Sequence, residues 1–201
     1  MTIRKITEKD VRQIAEIHKE SIKEAFFSKL GLGFLAYLYT RMFKQKGTFF
    51  GYCYEDKKTK KIAGFVTVVI GKGFFSKLVI EDLPRFIMNM AAANVRHPSA
   101  TISLLQTLFC LSKDKDEAQS EIFSIGVLQG YQGKGIGKSL LEEALNALRD
   151  KNITNVRVLV DSKIKANDFY KRQGFSLKGR VSALKRVLNI YKKDMQRQKR
   201  E

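Results

Sequence analysis

Residues Gln132-Gly133-Lys134-Gly135-Ile136-Gly137-Lys138-Ser139 form a glycine- and lysine-rich turn between two segments of opposite periodicity. Before it, Glu121 to Val127 is apolar and β-branched and reads as a strand. After it, Gly135 to Asp150 carries apolar residues at helical spacing. Alternating glycines are a poor way merely to start a helix, but they permit tight turning and a close approach of backbone N–H groups to a ligand. The helix N-terminus adds partial positive charge, and Lys134 and Lys138 add full charges. The combination is that of a pyrophosphate cradle.

Three phosphate-binding patterns compete for this turn. A P-loop needs G-x-x-x-x-G-K-[ST]; Gly137-Lys138-Ser139 supplies its end, but Gln132 stands where the first glycine belongs. A dinucleotide fingerprint, G-x-G-x-x-G, counted from Gly133 meets Lys138 at its last position. Gln132-x-x-Gly135-x-Gly137, with Ile136 between the last two glycines, fits a third pattern without repair and resembles the acetyl-CoA loop of the GNAT superfamily. The flanks are similar too: Ile125-Gly126-Val127 to the end of the family's fourth strand, Leu140 and Leu141 to the buried start of its third helix. Downstream, Ala166-Asn167-Asp168-Phe169-Tyr170-Lys171-Arg172-Gln173-Gly174-Phe175 resembles the second family signature, A-x-x-F-Y-x-x-x-G-F.

The rest of the chain reads outward from there. Thr2 to Ile6 reads as a strand. Thr7 and Asp10 then cap a helix with apolar residues at Val11, Ile14, Ala15, Ile17 and Ile22. A second helix runs from Gly31 to Phe43. Thr48–Tyr54 and Lys61–Ile70 are strands joined by the polar turn Glu55–Thr59. Between Gly71 and Ala118 lie two apolar segments, Leu78–Ala93 and Ile102–Leu111, read as helices and followed by a charged loop, Lys113–Glu117. Val156–Val160 is a strand, Ile164–Gln173 a short helix, and Phe175–Met195 one or two closing strands. This alternation predicts one α/β domain over residues 1–195, with a helical insertion at 71–118 and a basic tail at 196–201. The family resemblance implies a mixed, mostly antiparallel central sheet flanked by helices, the insertion falling between strands 3 and 4.

The resemblance also assigns roles. Gln132, Gly133, Lys134, Gly135, Ile136, Gly137 and Lys138 would hold the cofactor's diphosphate, and the backbone of Ile125, Gly126 and Val127 its pantetheine and acetyl carbonyl. Many family members carry an asparagine three residues before the Ala166 position; here that position is Lys163, so the contact is lost or taken over by Asn167. Tyr170 sits where the family has a tyrosine that can protonate the leaving thiolate; the other reading is a core aromatic beside Phe169. Glu121 lies eleven residues before Gln132, close to the general base of histone-acetylating members. Alternation puts it on one strand face with Phe123 and Ile125, an apolar setting that would raise its pKa; the other reading is a strand-end glutamate that solvates an edge or pairs with a lysine. His18 and His97 lack a partner pattern and read as surface or packing residues.

The net charge of +18 favours anionic partners. Nucleic acid or an anionic membrane could be contacted by this surface, and the tail cluster Lys192, Lys193, Arg197, Lys199 and Arg200 is either such a contact or simply solvated. Cys53 and Cys110 suit neither a disulfide framework nor a metal site, and no metal is expected. Met1 to Asp10 is polar and charged, unlike a secretory signal, and no apolar run approaches ~20 residues; a cytoplasmic protein without a membrane span is the expectation. The family resemblance implies an acceptor pocket shaped by Glu20–Phe43 and Gly71–Ala118. Glu20 to Tyr39 loosely resembles bacterial members associated with surface-sugar synthesis. The expected substrate is a small primary amine such as an amino sugar or its nucleotide conjugate; protein N-termini, lysines, or a purely nucleic-acid or membrane-binding role are the alternatives.

Calorimetry should register acetyl-CoA binding, and Gly135→Asp, which adds bulk and a negative charge at the cradle, should weaken it strongly. Tighter binding of ATP than of acetyl-CoA would favour the P-loop pattern instead.

Overall fold

The computed structural model describes residues 2–23, 26–71, 74–94, 118–183 and 186–195. Strands β1 (Thr2–Lys5), β2 (Phe49–Glu55), β3 (Ile62–Ile70), β4 (Ser120–Val127), β5 (Asn155–Asp161), β6 (Ser176–Ala183) and β7 (Arg186–Asp194) form one sheet in the order β1-β2-β3-β4-β5-β7-β6. All neighbours are antiparallel except β4 and β5. The helices are α1 (Val11–Ser21), α2 (Phe26–Lys29), α3 (Gly31–Lys44), α4 (Phe74–Ile80), α5 (Leu83–Asn94), α6 (Ile136–Asp150) and α7 (Ala166–Arg172). This is the mixed, mostly antiparallel sheet flanked by helices that the sequence implied.

Two apolar layers sandwich the sheet, and β3 is buried on both faces. Its Phe65 and Val69 join a cluster with Ile14 of α1 and Leu35, Leu38, Tyr39 and Met42 of α3. Its Val66 and Val68 point the other way, into a cluster with Leu140, Leu141, Ala144, Leu145 and Leu148 of α6 and Tyr170 of α7. The helical spacing of α6 lays this apolar stripe along the sheet and leaves its N-terminus at the glycine turn.

The insertion differs in detail from its sequence reading. Leu78–Ala93 is two helices, α4 and α5, interrupted at Glu81–Asp82, and Pro84 lies in the first turn of α5, where its missing N–H is not needed. Leu78, Phe86 and Met90 are buried in the first cluster, with the Phe86 ring 6.0 Å from Phe34. The described part of the insertion is therefore core on its inner side, while Ile80, Leu83, Ile87 and Met88 are exposed. Ile102–Leu111, Lys113–Glu117, His97 and Cys110 lie outside the described residues.

Helix α1 is pressed against β4 at Gly126. A Cβ there would overlap Ser21 Oγ and come within 2.9 Å of Phe65 Cε1, whereas one at Gly130 would meet nothing within 4 Å. Urea unfolding should show Gly126→Ala destabilised by about 1–3 kcal/mol, the usual cost of overpacking, and Gly130→Ala shifted by less than about 0.5 kcal/mol.

Candidate active site

The parallel pair β4–β5 is short. Only Ser120↔Val156 and Glu121↔Arg157 are in register. Beyond them β4 continues against β3 alone, as far as Val127 opposite Gly64. Ile122–Val127 thus has no ladder partner in β5, although it lies in the middle of the sheet. Main-chain N–H and C=O groups there need other partners, which suits an extended polar ligand laid along the strand.

Strand β4 also carries a bulge. Thr67 of β3 faces Ser124, and the next residue, Val68, faces Ile122, so Phe123 is the extra residue. This overturns the expected sharing of one face by Glu121, Phe123 and Ile125. Phe123 packs on the first cluster, 5.5 Å from Phe27 and 6.2 Å from Tyr39, while Ile125 packs on the second. A single inserted residue reverses the alternation downstream of it.

The glycine turn meets the end of this strip. Gln132 Nε2 donates to the carbonyl of Val127 at 2.8 Å, tying the turn to β4. Gly133 and Gly135 have φ of +75° and +79°, conformations that glycine adopts without strain. An α6 hydrogen bond at the turn runs from Ser139 N to Gly135 O at 3.0 Å. The N–H groups of Ile136, Gly137 and Lys138 lie ahead of it, among those a helix leaves without intrahelical acceptors. Backbone donors, two left-handed glycines and a helix N-terminus fit a diphosphate. Ile136 is 4% exposed, so only its backbone is available to a ligand. Lys138 is exposed and 3.7 Å from Glu142, and Lys134 Nζ donates to Gly130 O at 3.0 Å with its charge 5.5 Å from the centre of the Tyr131 ring.

The side chains expected at the reacting centre lie on both sides of the opening. Glu121 is not in a purely apolar setting: its Oε2 accepts from Arg157 Nε at 2.8 Å, across the register pair that ends the β4–β5 ladder. Tyr170 is 3% exposed, its ring 5.1 Å from Phe169 and 5.4 Å from Phe175. Burial pushes its phenol upward, so the hydroxyl keeps its proton. Asn167 is engaged structurally. Its Nδ2 donates to Asp161 O at 2.8 Å and to Ile164 O at 2.7 Å, and its Oδ1 accepts from Asn189 Nδ2 at 2.7 Å. With both amide hydrogens used, it locks the end of β5 to α7 and β7 instead of offering them to a ligand.

Reading His18 as a surface or packing residue without a partner missed its surroundings. It is 2% exposed, and Nδ1 lies 2.7 Å from Tyr39 Oη. The signal was present in its position four residues after Ile14, on the apolar face of α1. Burial depresses its pKa to about 4, so it is neutral near pH 7.

Comparisons with known proteins bear on family and fold. The model of the acetyltransferase (GNAT) family matches residues 14–175, and the chain belongs to that family. It is 35% identical over 65 residues to a mycothiol acetyltransferase of Beutenbergia cavernae, a match covering 32% of this chain and 22% of the relative. It is 37% identical over 54 residues to histone acetyltransferase TAP1 of Glycine max, covering 27% and 22%. The match thus spans about a fifth of the length of these curated relatives. Two solved structures share the fold nearly end to end. One is the PaiA N-acetyltransferase of Thermoplasma acidophilum in complex with coenzyme A (TM-score 0.63, 14% identity, 96% of this chain and 99% of that one). The other is the ribosomal-protein-S18-alanine N-acetyltransferase of Escherichia coli (TM-score 0.59, 13% identity, 96% and 93%). Among the described residues no helix is long and apolar enough to cross a membrane, and no three or more His, Cys, Asp or Glu side chains group to hold a metal ion.

His18 makes a pH prediction. The unfolded chain binds a proton at this residue below about pH 6.5, and the folded protein only near pH 4. The associated stability is full above the unfolded value and is lost as pH falls toward 4, by roughly 2–3 kcal/mol. Urea unfolding at pH 7.5 and pH 4.5 should show a larger loss for the wild type than for His18→Gln; equal losses would show that His18 titrates normally in the fold.

Proposed function

We propose that the protein transfers the acetyl group of acetyl-CoA to a primary amine of a small molecule, such as an amino sugar or its nucleotide conjugate. The observation that carries this reading is the junction between the unpaired β4 strip and the glycine turn, fastened by the Gln132–Val127 hydrogen bond. One end is an anion site and the other an extended row of main-chain donors and acceptors, as an acyl carrier with a diphosphate head and an amide-bearing arm requires. When bound, acetyl-CoA supplies an acetyl group activated as a thioester.

The chain's own residues do the rest. The N–H groups of the turn and α6, with the Lys134 and Lys138 ammonium groups, hold the diphosphate. Within Ile125–Val127, the main-chain N–H groups of Ile125 and Val127 face away from β3 and are set by the strand before any charge develops, so they stabilise an oxyanion without reorganising, while Gly126 pairs with β3. Tyr170, protonated by virtue of its burial, donates toward the sulfur. Glu121 is the base, with Arg157 orienting its carboxylate at 2.8 Å. The strongly basic surface favours an acceptor that carries phosphates, such as a nucleotide-linked amine. Protein N-terminal amines are the second reading, favoured by the nearly full-length structural likeness to the ribosomal-protein enzyme.

A panel of amino sugars, their nucleotide conjugates and short peptides, compared by kcat/KM, tests the substrate class; preference for peptides would overturn the small-amine reading. Glu121→Gln should slow acetylation by roughly 10²–10⁴-fold, the scale of general acid–base catalysis, with partial rescue at high pH as free amine accumulates. A Glu121→Gln enzyme at the wild-type rate below pH 7 would remove the base. Tyr170→Phe should slow natural donors more than donors whose thiol leaves with a low pKa; equal slowing would leave the tyrosine as packing.

A further inference from the structure

A hydrogen-bond chain crosses the apolar layer between α1, α3 and the sheet, and none of the acetyl-transfer chemistry above uses it. His18 Nδ1 lies 2.7 Å from Tyr39 Oη, Tyr39 Oη 2.7 Å from Ser124 Oγ, and Ser124 Oγ 2.7 Å from Thr67 Oγ1. All four residues are buried. Four polar groups in an apolar layer are costly unless each donor finds an acceptor. His18 Nε2 is buried without a hydrogen-bond partner. A lone pair without a partner is tolerated better than an N–H, so the ring hydrogen sits on Nδ1 and donates to Tyr39. Tyr39 then donates to Ser124, Ser124 to Thr67, and Thr67 toward the Ser124 main-chain carbonyl at 3.5 Å. The chain therefore runs from α1 and ends on the backbone of β4.

It ends at the bulge. Ser124 follows the extra residue Phe123 and faces Thr67 in the register. With the bulge placed elsewhere, Ser124 would turn toward the second apolar cluster and leave its own hydroxyl, and those of Tyr39 and Thr67, without these partners. Two residues on, Gly126 is pressed by Ser21, which lies one helical turn from His18.

We propose that the His18–Tyr39–Ser124–Thr67 chain is the positioning device of the site: it holds the β4 bulge at Phe123 and so directs the N–H groups of Ile125 and Val127 into the β4–β5 opening, while that of Gly126 between them faces β3. Its catalytic consequence rests on the acetyl-transfer reading; its hold on β4 does not. The diphosphate is held by the glycine turn and the start of α6, beyond the end of β4, so the chain governs turnover more than cofactor affinity.

Tyr39→Phe removes one hydroxyl and cuts the chain at its middle. In the full-length protein, hydrogen–deuterium exchange of residues 122–128 should quicken while that of α6 stays unchanged. The kcat for the best amine should fall by about ten- to a hundredfold, the scale of a misplaced reacting centre, with a smaller fold-loss of acetyl-CoA affinity by calorimetry. Thr67→Val cuts the far end with little change of shape and carries the same test if Tyr39→Phe does not fold. The double variant should be no slower than the slower single variant, because the chain acts as one unit. Unchanged exchange over 122–128 overturns the inference whatever the activity. Faster exchange with wild-type kcat overturns it too, since the hydroxyls would then serve stability alone. A wild-type protein that binds no acetyl-CoA refutes the acetyl-transfer reading instead, and exchange still decides whether the chain holds β4.

Discussion

Strand β4 loses its neighbour after Glu121, and the site follows from that loss. A strand in the middle of a sheet normally satisfies its main chain on both sides. Here one side is open from Ile122 onward, while β3 holds the other side through Val127. An open row of amides inside a folded domain is tolerable only beside water or a ligand. The separation begins at the Glu121–Arg157 ion pair, so the last pairing residues of the two strands are also joined through their side chains.

The two apolar layers keep β4 from closing that gap or drifting out of place. β3 contributes to both layers and is nearly inaccessible, so β4 is paired along its length to an immobile partner. Helix α6 serves twice: its apolar stripe seals one face, and that packing sets where its N-terminus, with its partial positive charge, lies relative to Val127. On the other face, α1 approaches so closely that position 126 has no room for a side chain. Packing of this kind explains why a binding strip of main-chain atoms can be as well positioned as one built from side chains.

Asn167 and Tyr170 show two ways in which one short signature is held in the fold. Both sit on α7 and both are buried. Asn167 spends its amide hydrogens on Asp161 and Ile164, which fixes where α7 begins relative to β5. Tyr170, packed edge-on between Phe169 and Phe175, is held by aromatic contacts that leave its protonation to burial. A residue at a family position can thus serve the fold through its neighbours alone.

What the sequence determined by itself was local. The glycines of 132–137, the stripe of α6 and the A-x-x-F-Y-x-x-x-G-F run carry their meaning in short spacings, because turns, helix starts and amphipathic faces depend on residues a few positions apart. Family and sheet type were legible for that reason. The bulge at Phe123 was not: strict alternation put Glu121, Phe123 and Ile125 together, and only pairing with β3 decides where an extra residue is absorbed. Nor were the Glu121–Arg157 pair, 36 residues apart, or the Tyr39–Ser124 contact, 85 residues apart, visible in any spacing. His18 looked partnerless because its partner comes from another helix and the rest of its chain from two strands. Such contacts are chosen by the way layers stack, and the free energy that selects them arises only once the surrounding groups have been removed from water.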